Sequence, residues 1–269
     1  MSPSLNWPQV GELALTIGER APAPSAALAG ETLFLDFADG SRGEASFRPN
    51  GTLDWREGGI PAWSAPCRIV ELRPALFLVD LIDASRPATT RTLVIDRANG
   101  SALELTVSMP DSHEVAIPLF KRAQSGRRLT AVTLRQRRAG LGRPAQDSFP
   151  PTAELVGRSK TYRYSATDIY QHIYISADRY SWQCLSGSEK GLADTDETIH
   201  LRLADDLVLF IWLEKIIPTC GMVAIDLAAG RSAGKIFGYS SADLTQLTNV
   251  AVGADIIEAP IGLATAAAS

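Results

Sequence analysis

Short runs of alternating apolar and polar residues make up most of the chain, and turn residues separate one run from the next. From Leu28 onward these runs have the period of β-strands. The run ETLFLDF ends near Asp39-Gly40 and the run GEASFRP ends at Asn50-Gly51, and both dipeptides are strong hairpin signals. Before Leu28 the pattern predicts one short helix, from Gln9 to Glu19.

The succession of elements occurs twice along the chain. The tripeptide Leu28-Ala29-Gly30 corresponds to Leu155-Val156-Gly157, and Trp55 corresponds to Trp182, with the same offset in numbering and no gap between the two matches. Each copy has about eight predicted strands in meander order, and such a series can bury its edges by closing into a barrel. The predicted fold class is therefore all-β, with two tandem calycin- or lipocalin-like antiparallel β-barrels and a short N-terminal helix.

Proline residues near position 150 predict the boundary between the two copies. We expect four segments along the chain. They are an N-terminal lead-in over residues 1–27, a first barrel over 28–145, a second barrel over 150–250 and a tail over 251–269.

The start of the second copy carries an unusual set of polar aromatic side chains. By strand alternation Tyr162 and Tyr164 share one face, and Tyr170, His172 and Tyr174 share another. A core strand would present Val, Leu and Ile here, and a solvent face would present Lys, Glu and Thr. The pattern therefore predicts the lining of a pocket for a small aromatic or unsaturated molecule.

The first copy provides an internal control for this interpretation. At the offset that relates Trp55 to Trp182, the five positions hold apolar or small residues instead: Leu35, Phe37, Gly43, Ala45 and Phe47. Residues required only by the fold could occur in both copies. We therefore expect the chemistry in the second barrel, and a degenerate pocket with a structural role in the first.

Composition and charge restrict the partners that we expect. The chain has 269 residues, a net charge of −4 and a pI near 5.5, which argues against nucleic acid as a partner. One basic run, from Lys121 to Arg143, is predicted to be a solvated hairpin and linker. No apolar run is long enough for a membrane helix. A homodimer is left open.

The cysteines of the sequence indicate the cellular compartment of the protein, and its motifs indicate whether it binds a metal or a cofactor. The three cysteines are scattered, odd in number and without a CxxC pair: Cys67, Cys184 and Cys220. This usage is typical of a reducing cytosol, so we expect a cytoplasmic protein. No metal-ligand spacing and no glycine-rich nucleotide loop occurs in the sequence, so we expect no metal and no cofactor.

Several long strings resemble the molybdenum cofactor biosynthesis F (MoaF) family. HIYISADRYSWQCLSGSEKGLADTDETIHL, LVLFIWLEKIIPTCGMVAID and GKIFGY are similar to its C-terminal domain. IVELRPALFLVDL and the region of Trp55 are similar to its N-terminal domain. The resemblance covers roughly residues 28–240 and implies membership of that family.

The second copy also resembles, more distantly, the bacterial phenolic acid decarboxylases, which are single calycin barrels. Their Gly, Tyr-x-Tyr and following Tyr match Gly157, Tyr162, Tyr164 and Tyr170, and their Trp-x-Glu matches Trp212-Leu213-Glu214. The resemblance implies that the tyrosine pair holds a substrate oxygen and that Glu214 moves a proton. The arginine that grips the carboxylate in that family is replaced by Leu192, which puts decarboxylation in doubt.

From these observations we expect an enzyme that performs cofactor-free acid–base chemistry, as a lyase, isomerase or cyclase, on a small aromatic or unsaturated oxygenated substrate. The candidate catalytic residues are Glu214, Tyr162, Tyr164 and His172. The candidate substrate-binding residues are Tyr170, Tyr174, Trp182, Cys184 and Trp212. The alternatives are a non-catalytic, lipocalin-like carrier of small molecules and a structural protein with a vestigial pocket.

Each candidate residue also has a structural interpretation. Tyr162 and Tyr164 could be ordinary strand residues, and His172 could be a satisfied interior histidine. Glu214 precedes Lys215, so the two could form a surface ion pair. Cys184 has the features of a small buried apolar residue.

Overall fold

The structure is a computed structural model that describes residues 7–257. Its helices are short: α1 (Val10–Leu13), α2 (Ser112–Val115) and α3 (Leu119–Gln124). The first eight strands are β1 (Thr32–Phe37), β2 (Arg42–Phe47), β3 (Thr52–Glu57), β4 (Ile60–Arg73), β5 (Leu76–Ile82), β6 (Thr89–Asp96), β7 (Ser101–Ser108) and β8 (Thr133–Leu141). The other eight are β9 (Ser159–Arg163), β10 (Ile169–Tyr174), β11 (Arg179–Ser186), β12 (Ala193–Ala204), β13 (Leu207–Glu214), β14 (Thr219–Asp226), β15 (Arg231–Tyr239) and β16 (Leu247–Ile257).

Each set of eight strands closes into an antiparallel barrel, so the predicted fold class is confirmed. In the first barrel β8 pairs with β1, and in the second β16 pairs with β9. The described part of the chain divides into two compact units, one containing residues 22–150 and the other residues 7–21 together with 151–257. The N-terminal segment therefore belongs with the second barrel.

The predicted repeat is present at the level of individual hydrogen bonds. Gly30 N donates to Phe47 O at 2.7 Å, and at the corresponding positions of the second copy Gly157 N donates to Tyr174 O at 2.8 Å. Both glycines have φ near +80°, which glycine adopts without the steric cost of a Cβ. The tripeptides that end at Gly30 and Gly157 thus make the same turn before the first strand of each barrel.

Three sequence predictions need correction. The helix expected over residues 9–19 is limited to α1, because the β-branched Thr16 and Ile17 and then Gly18 favour turns. The basic run is not a hairpin, since it contains α3 and the closing strand β8. The tail expected from residue 251 includes the end of β16, whose residues to Ile257 complete the second barrel. The remainder of that tail, from residue 258, lies outside the described residues.

The interior of the first barrel holds a buried ion network in addition to its apolar core. The guanidinium of Arg91 lies 4.3 Å from the ring centroid of Trp55 and donates to Asp83 Oδ2 at 3.0 Å. It also donates to Glu104 Oε1, and Arg137 donates to Glu57 Oε1 at 2.6 Å. The buried charges of Arg91, Asp83 and Glu104 thus pair with one another next to Trp55.

None of the helices in the described part of the chain has the length and apolar character needed to cross a bilayer.

Candidate functional site

The second barrel contains a cavity whose wall combines aromatic rings with two carboxyl groups. It has about 410 Å³ of empty space, counted with the solvent at its mouth, and the centres of water molecules can occupy about 40 Å³ of this. That smaller volume accommodates a few waters or a small polar group. The lining residues are Leu13, Ile17, Tyr164, Tyr170, His172, Tyr180, Trp182, Glu189, Trp212, Glu214 and Ile236.

One side of the cavity is built from the ends of β9 and β10 and the loop after β11. Tyr170 donates its hydroxyl to Glu189 Oε2 at 2.8 Å. The loop that carries Glu189 is fixed by Asp168, which accepts from Ser188 N at 3.2 Å. A Cβ on Gly187 would lie 2.3 Å from Asp168 Oδ1, and Gly187 has φ +116°, so this turn requires glycine.

Another part of the wall is built from two tryptophans, each of which donates to a carboxyl group. Trp212 donates its Nε1 proton to Glu214 Oε1 at 2.8 Å, and Trp182 donates to Asp196 Oδ2 at 3.1 Å. The ring of Trp212 lies flat against Gly221, where a Cβ would be 1.9 Å from Cζ2. The missing side chain at Gly221 therefore gives this ring its place at the cavity wall.

The two carboxyl groups of the cavity favour their protonated forms. Burial raises the pKa of Glu214 well above its ordinary value, and the nearby carboxylates of Asp196 and Glu189 raise it further. Burial also raises the pKa of Glu189, to about 7. The surroundings of Glu214 thus favour its protonated form, whereas Glu189 titrates near neutral pH.

The phenols and the imidazole are uncharged at neutral pH. Burial, and then the charge of Glu214, raise the pKa of both Tyr164 and Tyr180 above its ordinary value. Burial lowers the pKa of His172 to about 3. The Nδ1 atom of His172 is buried and has no hydrogen-bond partner in the described part of the chain. It remains available to a ligand in the cavity that this ring lines.

The structure brings six of the nine predicted site residues together at this cavity: Tyr164, Tyr170, His172, Trp182, Trp212 and Glu214. Three others are not among its lining residues. The hydroxyls of Tyr162 and Tyr174 lie 2.7 Å apart and bond to each other deeper in the barrel. Cys184 donates to Ser186 O at 3.2 Å, and burial raises its pKa to about 11.

Lys215 does not lie in the cavity lining. Its Nζ atom donates to Asp194 Oδ1 at 2.5 Å and to Asp196 Oδ1 at 3.2 Å. Glu214, in contrast, is half-buried and turns its carboxyl group toward Trp212 and the cavity. The simple surface ion pair that the sequence allowed is therefore not the environment of this carboxyl group.

Comparison with known families assigns both barrels. The model of the MoaF N-terminal domain matches residues 5–111, and the model of the MoaF C-terminal domain matches residues 149–259. The curated Protein MoaF of Klebsiella aerogenes is 37% identical over 229 residues, which is 84% of each chain. The chain belongs to the MoaF family. The resemblance seen in the sequence is thus confirmed, and the candidate cavity lies in the MoaF C-terminal domain.

One solved structure is similar to part of this MoaF-family chain. It is a Burkholderia vietnamiensis protein described as a candidate beta-lactamase, with 15% identity and a TM-score of 0.32. The match covers 39% of this chain and 96% of that one. A match at this level carries no argument about the function of the MoaF-family chain.

Sequence reasoning missed several residues that line the cavity of this MoaF-family chain. Tyr180 alternates with Trp182 along β11, so strand periodicity could have found it. Glu189 lies in a loop, where no periodicity indicates direction. Leu13 and Ile17 come from the N-terminal segment, which the whole first barrel separates in sequence from the barrel that they cover.

The N-terminal segment closes one end of the cavity. Leu13 and Ile17 line it, and the ring of Trp7 packs edge-on against Trp182 with the centroids 5.9 Å apart. Arg20 Nη1 anchors the end of the segment to Asp255 Oδ2 at 2.6 Å. A ligand larger than a few atoms would therefore have to displace these apolar side chains.

Proposed function

We propose that this MoaF-family protein is an intracellular enzyme that performs cofactor-free acid–base chemistry in its second barrel. The reaction would be that of a lyase, isomerase or cyclase, on a small aromatic or unsaturated oxygenated substrate. The observation that carries the proposal is that Glu214 and Tyr164 line the same aromatic cavity. Its three free cysteines support an intracellular location.

Glu214 and Glu189 supply the proton transfers in this proposal. Glu214 has a raised pKa and is the general acid, whereas Glu189, with a pKa of about 7, is able to accept a proton near neutral pH. Two carboxyl groups whose environments separate their pKa values form a common acid–base arrangement. Tyr170 donates to Glu189 and stabilises its charged form.

Tyrosine hydroxyls would stabilise negative charge that develops on a substrate oxygen. Tyr164 and Tyr180 line the cavity and keep their protons, because their pKa values are raised. Neutral donors held in a low-dielectric site stabilise an oxyanion without reorganisation. Tyr164 takes the role that the sequence assigned to the pair of Tyr162 and Tyr164.

His172 has a narrower role than the sequence predicted. With its pKa lowered to about 3 it does not hold a second proton at neutral pH. It would therefore orient the substrate through a neutral ring nitrogen, and the proton transfers are left to the two glutamates. Leu192, at the position of the decarboxylase arginine, is buried and apolar. This favours proton transfer over decarboxylation.

Hydrogen–deuterium exchange on a panel of model compounds tests the proposal. Aryl ketones and enones, with and without an amino substituent, would be incubated with the protein in D₂O and followed by proton NMR. We expect exchange at a carbon next to the carbonyl, slowed on the order of 10²-fold by Glu214→Gln. Asp178→Asn, which removes an exposed carboxylate in the β10–β11 turn, should leave the rate unchanged.

The carrier function is the second candidate, and closure of the cavity by Leu13 and Ile17 favours it. A carrier would bind members of the same panel without exchanging their protons. Binding without exchange for the whole panel would therefore support the carrier and refute the enzyme.

A further inference from the structure

The cavity of the second barrel has an unusual balance of charge. Two carboxyl groups, Glu189 and Glu214, face it, and its lining residues in the described part of the chain include no lysine or arginine. The ammonium group of Lys215, which follows Glu214 in sequence, is bound to Asp194 and Asp196. Five aromatic rings besides His172 complete the wall: Tyr164, Tyr170, Tyr180, Trp182 and Trp212.

The positions of the first barrel that correspond to the cavity residues of the second can be found from the strand pairing. The β5–β6 ladder pairs Leu76 with Asp96, and the β13–β14 ladder pairs Leu207 with Asp226, so the two ladders can be superposed pair by pair. Counting along them, Glu214 corresponds to Asp83, and Gly221 corresponds to Arg91. Trp182 corresponds to Trp55 through the offset of the sequence repeat.

In the first barrel the corresponding residues hold a cation. The guanidinium of Arg91 lies 4.3 Å from the ring centroid of Trp55 and 3.0 Å from Asp83 Oδ2. Burial alone would raise the pKa of Asp83, but hydrogen bonds from Ser85 and Arg91 outweigh it and the pKa is lowered. A tryptophan face and a carboxylate thus form a buried site for a planar cation.

The second barrel keeps the tryptophan and the carboxyl group but has no arginine at the corresponding position. Gly221 replaces it, and the ring of Trp212 covers that glycine. Trp182, Trp212 and Glu214 line the cavity there, and no lysine or arginine of the described residues lines it with them. The pKa of Glu214 is raised where that of Asp83 is lowered, as expected when burial and neighbouring carboxylates act on a carboxyl group in place of an arginine.

The second acidic group of the site differs between the barrels. Glu104, which also accepts from Arg91, pairs with Leu93, and the corresponding pair in the second barrel is Val223 with Gly234. The second carboxyl group of the cavity comes instead from Glu189, in the loop after β11. The second carboxyl group thus comes from a loop in the second barrel and from a strand in the first.

We propose that the cavity of the second barrel binds an organic cation, whose guanidinium or ammonium head group takes the place that the Arg91 guanidinium has in the first barrel. The head group would lie against Trp182 and Trp212, beside Glu214, and donate to the carboxyl groups and to Nδ1 of His172. This inference rests on the proposed function in one respect, which is that the cavity binds a ligand. It adds that the ligand is positively charged.

Matched pairs of small ligands test the proposal on the full chain. Methylguanidinium and the isosteric neutral methylurea would be titrated by tryptophan fluorescence, as would benzylammonium and neutral benzyl alcohol, with acetate as the anion. We expect at least one cation to bind tenfold or more tightly than its neutral partner, and acetate not to bind. Whichever of methylguanidinium and benzylammonium binds more tightly identifies the type of head group.

Variants locate the binding. Glu214→Gln should weaken binding of the preferred cation at least tenfold and change binding of its neutral partner less than threefold. Asp178→Asn removes a carboxylate from the exposed turn at Ser176–Arg179 and should change neither. If Glu214→Gln does not fold, the ligand pairs measured on the unaltered protein still decide the question.

Equal affinity for charged and neutral partners, tighter binding of acetate, or no binding of any probe would overturn the inference. The deuterium-exchange experiment is independent of these outcomes, because its panel includes neutral ketones. Exchange of neutral ketones without cation preference would leave the proposed function standing alone. Cation preference without exchange would leave this inference standing and remove the enzyme.

Discussion

Replacing Glu189 by glutamine should change how the stability of the protein depends on pH. The ordinary pKa of this group is 4.5, and in the folded protein it is about 7, chiefly because of burial. The folded state therefore binds the proton more tightly than the unfolded state. The stability that this provides is fully present below pH 4.5 and is lost as the pH rises toward 7.

The magnitude follows from the two pKa values. A difference of about 2.5 corresponds to about 3.4 kcal/mol at 25 °C. About 2.5 kcal/mol of this is lost between pH 5 and pH 8, because the unfolded state is already largely ionised at pH 5. Glutamine has no proton to lose. We therefore expect Glu189→Gln to reduce the loss of unfolding free energy over this range by about 2.5 kcal/mol.

Urea unfolding at pH 5, 6, 7 and 8 measures this difference. Both barrels contain tryptophan, so fluorescence reports on each, and comparing the variant with the unaltered protein cancels the contribution of the first barrel. Asp178→Asn is the control, because the pKa of this exposed group lies below 3.8 and it does not titrate above pH 5. Parallel loss of stability in Glu189→Gln and the unaltered protein would refute the reasoning.

Two further predictions concern the corresponding positions of the two barrels. Arg91→Met should destabilise the first barrel by about 3–5 kcal/mol in urea, since it leaves Asp83 buried without its cation and removes one of the two arginines that bind Glu104; a cost under about 1 kcal/mol would contradict the buried network. Gly221→Ala should cost about 1–3 kcal/mol and shift tryptophan emission, because the new Cβ overlaps the ring of Trp212. An unchanged emission spectrum and stability would show that this ring does not lie on Gly221.

Much of the fold could be predicted from the sequence because the determining interactions are local or repeated. Strand alternation and Asn-Gly or Asp-Gly turns depend only on neighbouring residues, and Gly51 does adopt φ +80° after Asn50. The offset between the two copies is preserved in the hydrogen bonds of Gly30 and Gly157. Alternation also placed Tyr170, His172 and Tyr174 on one inward face.

Strand alternation could not predict how far along the barrel axis each inward-facing side chain lies. Tyr162 and Tyr164 share a face, yet Tyr164 reaches the cavity, whereas Tyr162 bonds to Tyr174 below it. A period of two residues fixes the direction of a side chain but not its height in the barrel. Height depends on the register between strands and on what closes each end.

Two eight-stranded barrels and the polar aromatic lining of the second could be predicted from the sequence, and the resemblance to the decarboxylases made Glu214 a candidate site residue. The folded structure was needed to show that Glu189, Leu13 and Ile17 complete the cavity, because loops and distant segments carry no periodicity. It also decided the charge of the cavity. Corresponding ladder positions hold Asp83 beside Arg91 in one barrel and Glu214 near Gly221 in the other, and the pKa is lowered in the first case and raised in the second. The correspondence depends on how the strands pair.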